Sequence, residues 1–171
     1  NYLGDECKKI GYDGIFTMAA AGITNAQMLK ECGIDCVYAY NWGSAGGSVQ
    51  VQESGMDAWL ERDMDFIPTI SMGWDDTAWG GNGGRILSLE DYKTVAAWVK
   101  SDYSPRAKYF GKKMLMLGNW NELGEGHYMI PSGLSGFDYL DIIKDVFAGK
   151  SSHTDLKPTE NQKQRINSWY D

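Results

Sequence analysis

The sequence has few cysteines and no long apolar segment. Its three cysteines, Cys7, Cys32 and Cys36, leave at least one thiol unpaired. They have neither a second cysteine pair nor a nearby histidine, so we predict small buried thiols rather than a zinc site. The longest apolar run, from Ile15 to Ile23, is far shorter than the ~20 residues that a membrane span needs. The sequence therefore predicts no membrane span and no metal.

Positive charge is also scarce, because 16 lysines and arginines face 23 aspartates and glutamates, which gives a net charge of −7. Such a surface disfavours nucleic acid and anionic membranes as partners but does not repel a neutral sugar. The sequence lacks both fingerprints of phosphate binding, a GxGxxG segment that opens a helix and a GxxxxGK(S/T) segment. We therefore predict no cofactor and no nucleic-acid partner.

Four short apolar segments have the pattern of strands buried on both faces of a parallel sheet. They are Ile15 to Ala20, Cys36 to Trp42, Phe66 to Met72 and Met114 to Gly118. Helices are predicted around them, over Tyr2 to Lys9, Asn25 to Cys32, Val51 to Arg62, Leu89 to Tyr103 and Phe137 to Phe147. Thr24 is the predicted cap of the second helix and Ser88 that of the fourth. This alternation predicts right-handed βαβ units.

Four βα units fit either a small open doubly wound sheet or half of a (β/α)8 barrel. The loops after the strands carry aromatic, glycine and polar residues, and in a barrel all the βα loops meet on one face. We therefore predict an α/β fold in which residues 1–149 form roughly the second half of a TIM-type (β/α)8 catalytic barrel. Residues 150–171 are a polar C-terminal tail, predicted to pack on the barrel as a short helix through Ile166, Trp169 and Tyr170.

The chain begins with Asn1 and shows no signal sequence. We expect four more βα units and a targeting segment to precede it. The expected partner of this half is the N-terminal half of the same barrel, or a second copy of the chain that closes a pseudo-barrel. We expect the protein to be secreted, periplasmic or at the cell surface.

The segment with the strongest chemical signal runs from Gly118 to Tyr128 and follows the last predicted strand. Glu122 and Glu125 lie three positions apart, which on a helix-like turn brings their Cβ atoms to roughly 5–6 Å. That is close to the ~5–5.5 Å that separates the carboxyl groups of retaining glycosidases. The alternative is a solvated acidic turn, but the position at a strand end and the surrounding aromatic residues favour a catalytic pair.

Ten further side chains are candidates for binding the substrate, because sugars need aromatic surfaces for their apolar faces and hydrogen-bonding groups for their hydroxyls. They are Tyr40, Asn41, Trp42, Trp74, Asp75, Trp79, Trp120, Asn121, His127 and Tyr128. Purely structural roles are open for some of them. Several of the aromatic residues can be loop packing, Asp75 can cap a turn, and His127 can be an ordinary hydrogen-bonding residue.

Three segments resemble the glycoside hydrolase family 99-like proteins, a group that includes endo-acting α-mannosidases and proteins described as lipopolysaccharide-synthesis glycosyltransferases. Residues 119–126, with Tyr128 and Pro131, are similar to that group's W-N-E-W-x-E-G-x-x-x-E-P signature. Residues 73–77 are similar to its G-W-D-N-T/S segment, and residues 158–167 to its P-T-x-x-Q…I-N ending. Leu123 stands where the signature usually has Trp, and Ile130 where it often has an acid.

The resemblance implies a glycoside hydrolase that cleaves a glycosidic bond in a polysaccharide or glycan with retention, through a 1,2-anhydro sugar. It implies that Glu122 assists at the sugar 2-hydroxyl or acts as base, and that Glu125 is the general acid/base on the glycosidic oxygen. The alternatives are a glycosyltransferase or transglycosylase on the same fold, and a non-catalytic carbohydrate-binding protein.

Overall fold

A computed structural model of the protein describes residues 2–20, 25–42, 48–149 and 159–167. Its strands are β1 (Met18–Ala20), β2 (Cys36–Tyr38), β3 (Asp65–Ile67), β4 (Thr69–Ser71), β5 (Gly73–Trp74), β6 (Arg85–Ile86), β7 (Met116–Gly118), β8 (Asn121–Glu122) and β9 (His127–Tyr128). Its α-helices are α1 (Tyr2–Lys9), α2 (Ala26–Glu31), α3 (Val49–Leu60), α4 (Leu89–Trp98), α5 (Ser104–Arg106), α6 (Tyr109–Lys113), α7 (Asp138–Ile143) and α8 (Glu160–Asn167). Short π-helical turns, Val99–Tyr103 and Lys144–Ala148, continue α4 and α7, and 3-10 turns cover Thr77–Trp79 and Leu123–Glu125.

The predicted strands form parallel pairs in chain order. β1 pairs with β2, β2 with β3, and β4 with β7. The segment predicted as one strand, Phe66 to Met72, is divided at Pro68, because proline has no N–H group for a ladder hydrogen bond. Its first half bonds to β2 and its second half to β7. The Pro68 carbonyl accepts from Met116 N at 2.9 Å and so begins the second ladder.

Side chains hold β2 and β4 together beyond the point where the ladder between β2 and β3 ends. The N–H of Ala39 donates to Thr69 Oγ1 at 3.1 Å, and Trp42 Nε1 donates to the Thr69 carbonyl at 3.1 Å. Thr69 is buried, so these bonds satisfy polar groups that water does not reach. They keep the C-terminal ends of the two strands side by side. Ser71 is the last residue of β4, and Tyr40 lies two residues after the end of β2.

The predicted barrel needs parallel strands in chain order. Strands β1, β2 and β3 form one parallel sheet in that order, and β4, which follows β3 in the chain, pairs in parallel with β7. Within the described ranges the parallel sheets are open rather than closed. The (β/α)8 architecture therefore stays a prediction.

The helices confirm the predicted ones with small shifts at their ends. Helix α2 is capped by Asn25, whose Oδ1 accepts from Met28 N at 3.0 Å. The predicted cap, Thr24, lies outside the described residues. Ser88 caps α4 as predicted, and its Oγ accepts from Asp91 N at 3.0 Å. In both places a short polar side chain satisfies an N–H group that the first turn leaves free.

The hydrophobic core lies between the parallel strands and helices α3, α4 and α7. Fully buried side chains from these elements include Val37, Met56, Ile70, Tyr92 and Val95. Burial of this kind contributes about 1.5–3 kcal/mol for each large apolar side chain. The packed core holds in place the strands that the loops of the site follow.

The three cysteines have different surroundings. Cys36 is buried, and burial, together with the charges of Asp65 and Asp35, raises the pKa of its thiol to about 12. Cys7 is half-buried and Cys32 is exposed. The prediction of buried thiols is therefore confirmed for Cys36 and wrong for Cys32, because the short α2 helix leaves its C-terminal end at the surface.

The tail contains a short helix, as predicted, in α8. The remainder of the tail, residues 150–158 with Trp169 and Tyr170, lies outside the described residues. No helix in the described ranges is long and apolar enough to cross a membrane.

The N-terminal edge of the parallel sheet exposes large apolar side chains. In the described part of the chain β1 pairs only with β2. Phe16 is 43% exposed and Met18 is 40% exposed. An apolar edge strand that carries no lysine or proline is a surface on which other strands can pair.

We expect the chain on its own, at micromolar concentration, to associate through this β1 edge. Sedimentation velocity should show dimers or larger species. Met18→Lys should weaken the association because it places a charge on the edge. Met28→Lys, at a methionine on α2 that is 41% exposed, is the matched control and should leave association unchanged. A monodisperse monomer would contradict the half-barrel prediction.

Candidate active site

The candidate site is built on a hairpin that follows β7. The hairpin consists of β8, the 3-10 turn Leu123–Glu125 and β9. Gly126 closes the turn with a φ of 57°, a left-handed conformation that favours glycine, and its N–H donates to the Leu123 carbonyl at 3.2 Å. The helix-like turn predicted between the two glutamates is therefore present. The peptide bond that leads into the hairpin, between Gly118 and Asn119, is cis.

The two faces of the hairpin carry different side chains. Glu122 pairs with His127, and Asn121 pairs with Tyr128. Residues opposite each other in an antiparallel pair project to the same face, and successive residues alternate. One face therefore carries Glu122 and His127, and we call it the carboxylate face. The opposite face carries Asn121 and Tyr128.

Glu125 is the more buried of the two glutamates, with 9% of its surface exposed. Its Oε2 accepts a hydrogen bond of 2.6 Å from the Tyr40 hydroxyl, although the two residues are 85 positions apart in the chain. Its backbone carbonyl accepts from Asp75 N at 2.8 Å. Contacts from two distant loops thus fix both the side chain and the backbone of Glu125.

Tyr40 binds Glu125, and its surroundings raise the pKa of its phenol. Partial burial, the hydrogen bond to Glu125 and the charges of Glu125 and Glu122 raise the pKa of Tyr40 to about 12, while a hydrogen bond with Asn119 opposes them. The phenol therefore stays protonated at neutral pH and can donate to Glu125. Tyr40 thus contacts Glu125 directly, and the charge of Glu122 adds to the rise in the pKa of Tyr40.

His127 is fully buried behind Tyr40. Its ring meets the Tyr40 ring edge to face, with centroids 5.6 Å apart and planes at 87°. Burial lowers the pKa of His127, and it outweighs the opposing effects of a backbone hydrogen bond with Gly118 and of the Glu125 charge. The imidazole is therefore neutral at neutral pH. It supports the Tyr40 ring by packing and supplies no positive charge to Glu125.

The tautomer of His127 follows from its hydrogen bonds. Nε2 lies 3.0 Å from Ser71 Oγ, whereas Nδ1 has no hydrogen-bond partner among the described residues. A proton on Nδ1 would bury an N–H group without an acceptor, so we assign the proton to Nε2. The Ser71 hydroxyl then accepts from His127 and from Gly73 N at 3.1 Å, and donates to the Gly73 carbonyl at 3.4 Å. All three hydrogen-bonding positions of that hydroxyl are used.

Gly118, at the end of β7, allows this close approach. A Cβ atom at this position would lie 2.9 Å from the Tyr40 carbonyl oxygen and 3.1 Å from His127 Nε2. The first contact is with backbone, which cannot move aside easily. Glycine therefore lets Tyr40 and His127 pack against the strand end.

Sequence reasoning missed the residues that support the site from behind. Gln52, fully buried on α3, donates from Nε2 to the Ser71 carbonyl at 2.7 Å and accepts from Ser71 N at 3.1 Å. A signal was available, because Gln52 shares the apolar face of α3 with Met56 and Trp59, and a polar residue on such a face needs a buried partner. Asn119 was also missed, although it lies inside the motif.

Exposed aromatic residues border the carboxylate pair. Trp79 is 62% exposed and Trp120 is 50% exposed. A Cβ atom at Gly124, between the two glutamates, would lie 2.5 Å from Trp79 Nε1, so this indole packs directly on the hairpin turn. Trp74 is half-buried and meets Trp79 edge to face at 6.4 Å. Open indole surfaces next to carboxylates suit the apolar face of a sugar ring.

Trp42 and Asn41 have a different setting from these indoles. Both are half-buried. The Trp42 ring packs against Phe66 with centroids 6.0 Å apart, and its N–H is bonded to the Thr69 carbonyl. Trp42 is thus held by the interior of the sheet, whereas the neighbouring Tyr40 reaches the carboxylates.

Asp75 has the turn-forming role that the sequence left open for it. Its Oδ1 accepts from Thr77 N at 3.0 Å, and hydrogen bonds from the side chain and backbone of Thr77 lower the pKa of Asp75. The same residue binds the Glu125 carbonyl through its N–H. Asp75 therefore connects the loop after β5 with the hairpin turn that contains Glu125. Among the described residues, no group of three His, Cys, Asp or Glu side chains could hold a metal ion.

We expect the free energy of unfolding to fall below about pH 6.5, partly because of His127. Burial keeps the folded-state pKa of His127 below its unfolded value of 6.5. Its contribution is complete above that value and is lost as the pH falls, since the unfolded chain binds the proton first. Urea denaturation between about pH 7.5 and 5.5 measures the slope. His127→Gln should make it shallower.

The sequence offers a matched control, because His153 is its only other histidine. His153→Gln should leave the slope unchanged. An unaltered slope in His127→Gln would argue against a buried neutral imidazole.

Comparison with known sequences places this site in a family. The profile of the family described as glycosyltransferase WbsX matches residues 48–143, which is more than half of the chain and includes both glutamates and His127. No curated protein sequence matches the chain at a significant level. The chain therefore belongs to the glycosyltransferase WbsX family, a carbohydrate-active family of the glycoside hydrolase family 99-like group.

Proposed function

We propose that the protein is a retaining glycoside hydrolase that cleaves a glycosidic bond in a polysaccharide or glycan. The observation that carries the proposal is the hydrogen bond from Tyr40 to the buried carboxylate of Glu125, with Glu122 three positions earlier on the same hairpin. A buried carboxylate fixed by a neutral donor, with a second carboxylate three positions away and indoles nearby, is suited to acid–base work on a sugar.

In the proposed mechanism Glu125 is the general acid. Tyr40 occupies Oε2 of Glu125, which leaves Oε1 to carry the proton that passes to the glycosidic oxygen. Glu122 takes the proton of the sugar 2-hydroxyl while that oxygen attacks C1. The bond between C1 and the leaving group breaks, and a 1,2-anhydro sugar forms.

Water then completes the reaction. Glu125, now ionised, takes a proton from a water molecule that attacks C1 and opens the three-membered ring. Glu122 returns its proton to the 2-oxygen. Both glutamates regain their starting states, and two inversions at C1 give net retention.

Binding in this proposal depends on aromatic surface rather than on charge. Trp79 and Trp120 would stack on the sugar faces, whereas Asn121 projects to the opposite face of the hairpin and would not reach a sugar held at Glu122. The site holds two glutamates in a chain whose net charge is −7. Such a site suits a neutral glycan better than a nucleotide-sugar diphosphate.

Glycosyl transfer is the second candidate, and the family's description as a glycosyltransferase favours it. The same two glutamates can pass the sugar to a hydroxyl acceptor instead of water. Product analysis with and without a nucleotide-sugar donor separates the two activities. Release of a reducing sugar without any donor supports hydrolysis.

We also propose that this site stands on the C-terminal face of a (β/α)8 barrel. The chain-ordered parallel strands, the position of Ser71 at the end of β4, and the positions of Tyr40 and Asn119 just after β2 and β7 support this architecture. The same architecture and a polysaccharide substrate would fit a secreted, periplasmic or cell-surface protein.

Glu122→Gln and Glu125→Gln should each lower turnover by roughly 10²-fold or more while leaving sugar binding intact, because glutamine keeps the shape and loses the proton-transfer group. The readouts are initial rates and a binding isotherm on the full-length protein. Glu90→Gln, at an exposed carboxylate on α4, is the control and should be near wild type. Sugar binding by the wild type without turnover would indicate a non-catalytic carbohydrate-binding protein.

Tyr40→Phe should lower kcat between about 10- and 100-fold, because it removes a hydrogen bond to a charged group and frees Oε2 of Glu125. The measurement is kcat across a pH series. Tyr38→Phe changes the same atom two residues earlier, on β2, and should have little effect. Equal effects of the two substitutions would remove Tyr40 from the mechanism.

A further inference from the structure

A second concave site lies on the opposite face of the hairpin from Glu122. A cavity of about 390 Å³ is bordered by Tyr128 and Gly126 of the hairpin and by Asp75, Asp138 and Leu134 of neighbouring loops and helices. Its size falls within the range of small-ligand pockets. Tyr128 and Glu122 project to opposite faces, so the hairpin backbone separates this cavity from the carboxylate face.

The mouth of the cavity presents an apolar side chain that protein does not cover. Leu134 is 89% exposed, the highest value among the large hydrophobic residues of the described chain. The loop that carries it is ordered by hydrogen bonds: Gly136 N donates to the Ser132 carbonyl at 2.8 Å, and Ser135 N donates to Ser132 Oγ at 3.1 Å. A fixed loop that holds a leucine at a cavity mouth offers an apolar contact to a ligand.

The polar groups of the cavity define the chemistry of that ligand. The carboxylates of Asp75 and Asp138 and the hydroxyls of Tyr128 and Ser135 can bond to hydroxyl groups, and Met72, Ile86 and Tyr139 supply an apolar floor. No lysine, arginine or histidine is among the described lining residues. An anionic ligand would meet two carboxylates without a counter-charge, whereas an uncharged sugar finds hydrogen-bond partners and an apolar surface.

We propose that this cavity is a second sugar-binding subsite, selective for an uncharged sugar residue over an acidic one. It shares the carbohydrate substrate with the proposed function but needs neither Glu122 nor Glu125. One backbone contact joins the two sites, since Asp75 N donates to the Glu125 carbonyl. A sugar seated here would therefore border the loop that positions Glu125.

The test measures binding in full-length protein carrying Glu125→Gln, so that turnover does not interfere. The probes are the methyl glycosides of mannose, glucose and galactose, with methyl glucuronide as the acidic probe. We expect at least one neutral probe to shift the Leu134 methyl signals in NMR spectra and methyl glucuronide to leave them unchanged. In Leu134→Ala, binding is followed by the methyl signals of Ile86, which also lines the cavity. The neutral probe should bind roughly tenfold more weakly there, and the exposed position leaves the fold intact.

Two further variants test whether the loss of binding is specific to Leu134 and whether the carboxylates set the selectivity against an acidic sugar. Leu123→Ala, at a leucine of similar size that is 62% exposed on the hairpin turn, is the matched control and should leave binding in the cavity unchanged. Asp138→Asn keeps the shape of the side chain and one acceptor oxygen and removes one of the two carboxylate charges, so it should strengthen the binding of methyl glucuronide while the neutral probe binds about as before.

The proposal is overturned if no neutral glycoside shifts the Leu134 signals at millimolar concentration. It is also overturned if wild-type selectivity against glucuronide is absent, or if Leu134→Ala and Leu123→Ala affect binding equally. Loss of turnover in the glutamate variants with intact binding at Leu134 would separate the two proposals.

Discussion

The arrangement of the site depends on one buried hydroxyl group, that of Ser71. Its backbone is held from the helix side by Gln52, and its hydroxyl accepts from His127. Through His127 it supports the ring of Tyr40, which in turn binds Glu125. Gln52, Ser71, His127 and Glu125 are buried, so leaving one of them unpaired would cost the desolvation of its polar atoms, whereas Tyr40 is 40% exposed. The geometry at Glu125 is therefore fixed by the core of the sheet.

The interruption of the sheet at Pro68 is what makes this arrangement possible. Because proline cannot donate to a ladder, the strand changes partners there, from β2 to β7. The end of β2 is then free of ladder bonds at Tyr40, and Thr69 holds it in place by side-chain and carbonyl contacts. Tyr40 can thus turn toward the hairpin that follows β7. The break in the strand at Pro68 therefore helps to position the side chain of Tyr40.

The hairpin separates two environments by the alternation of its side chains. The carboxylate face carries Glu122 and the neutral imidazole of His127, and the protonated phenol of Tyr40 binds Glu125 in the adjoining turn. The opposite face borders a cavity that also lacks positive charge among its described lining residues. The net charge of −7 is consistent with both. Uncharged glycans fit this electrostatic setting on either face, because they bring hydroxyl groups and no charge that would need a partner.

The sequence by itself determined the positions of the parallel strands, the Ser88 cap and the glutamate pair on a turn, since apolar runs, short polar caps and glycine spacing act over a few residues. It also allowed assignment to the WbsX family, because the matching segments are contiguous. It did not indicate the antiparallel pairs β5–β6 and β8–β9. Only the tertiary structure decided that Tyr40 binds Glu125, that His127 is buried and neutral, and that Trp42 is held by the sheet. These depend on contacts between residues far apart in the chain, and local pattern carries no information about which distant group will fill a buried position.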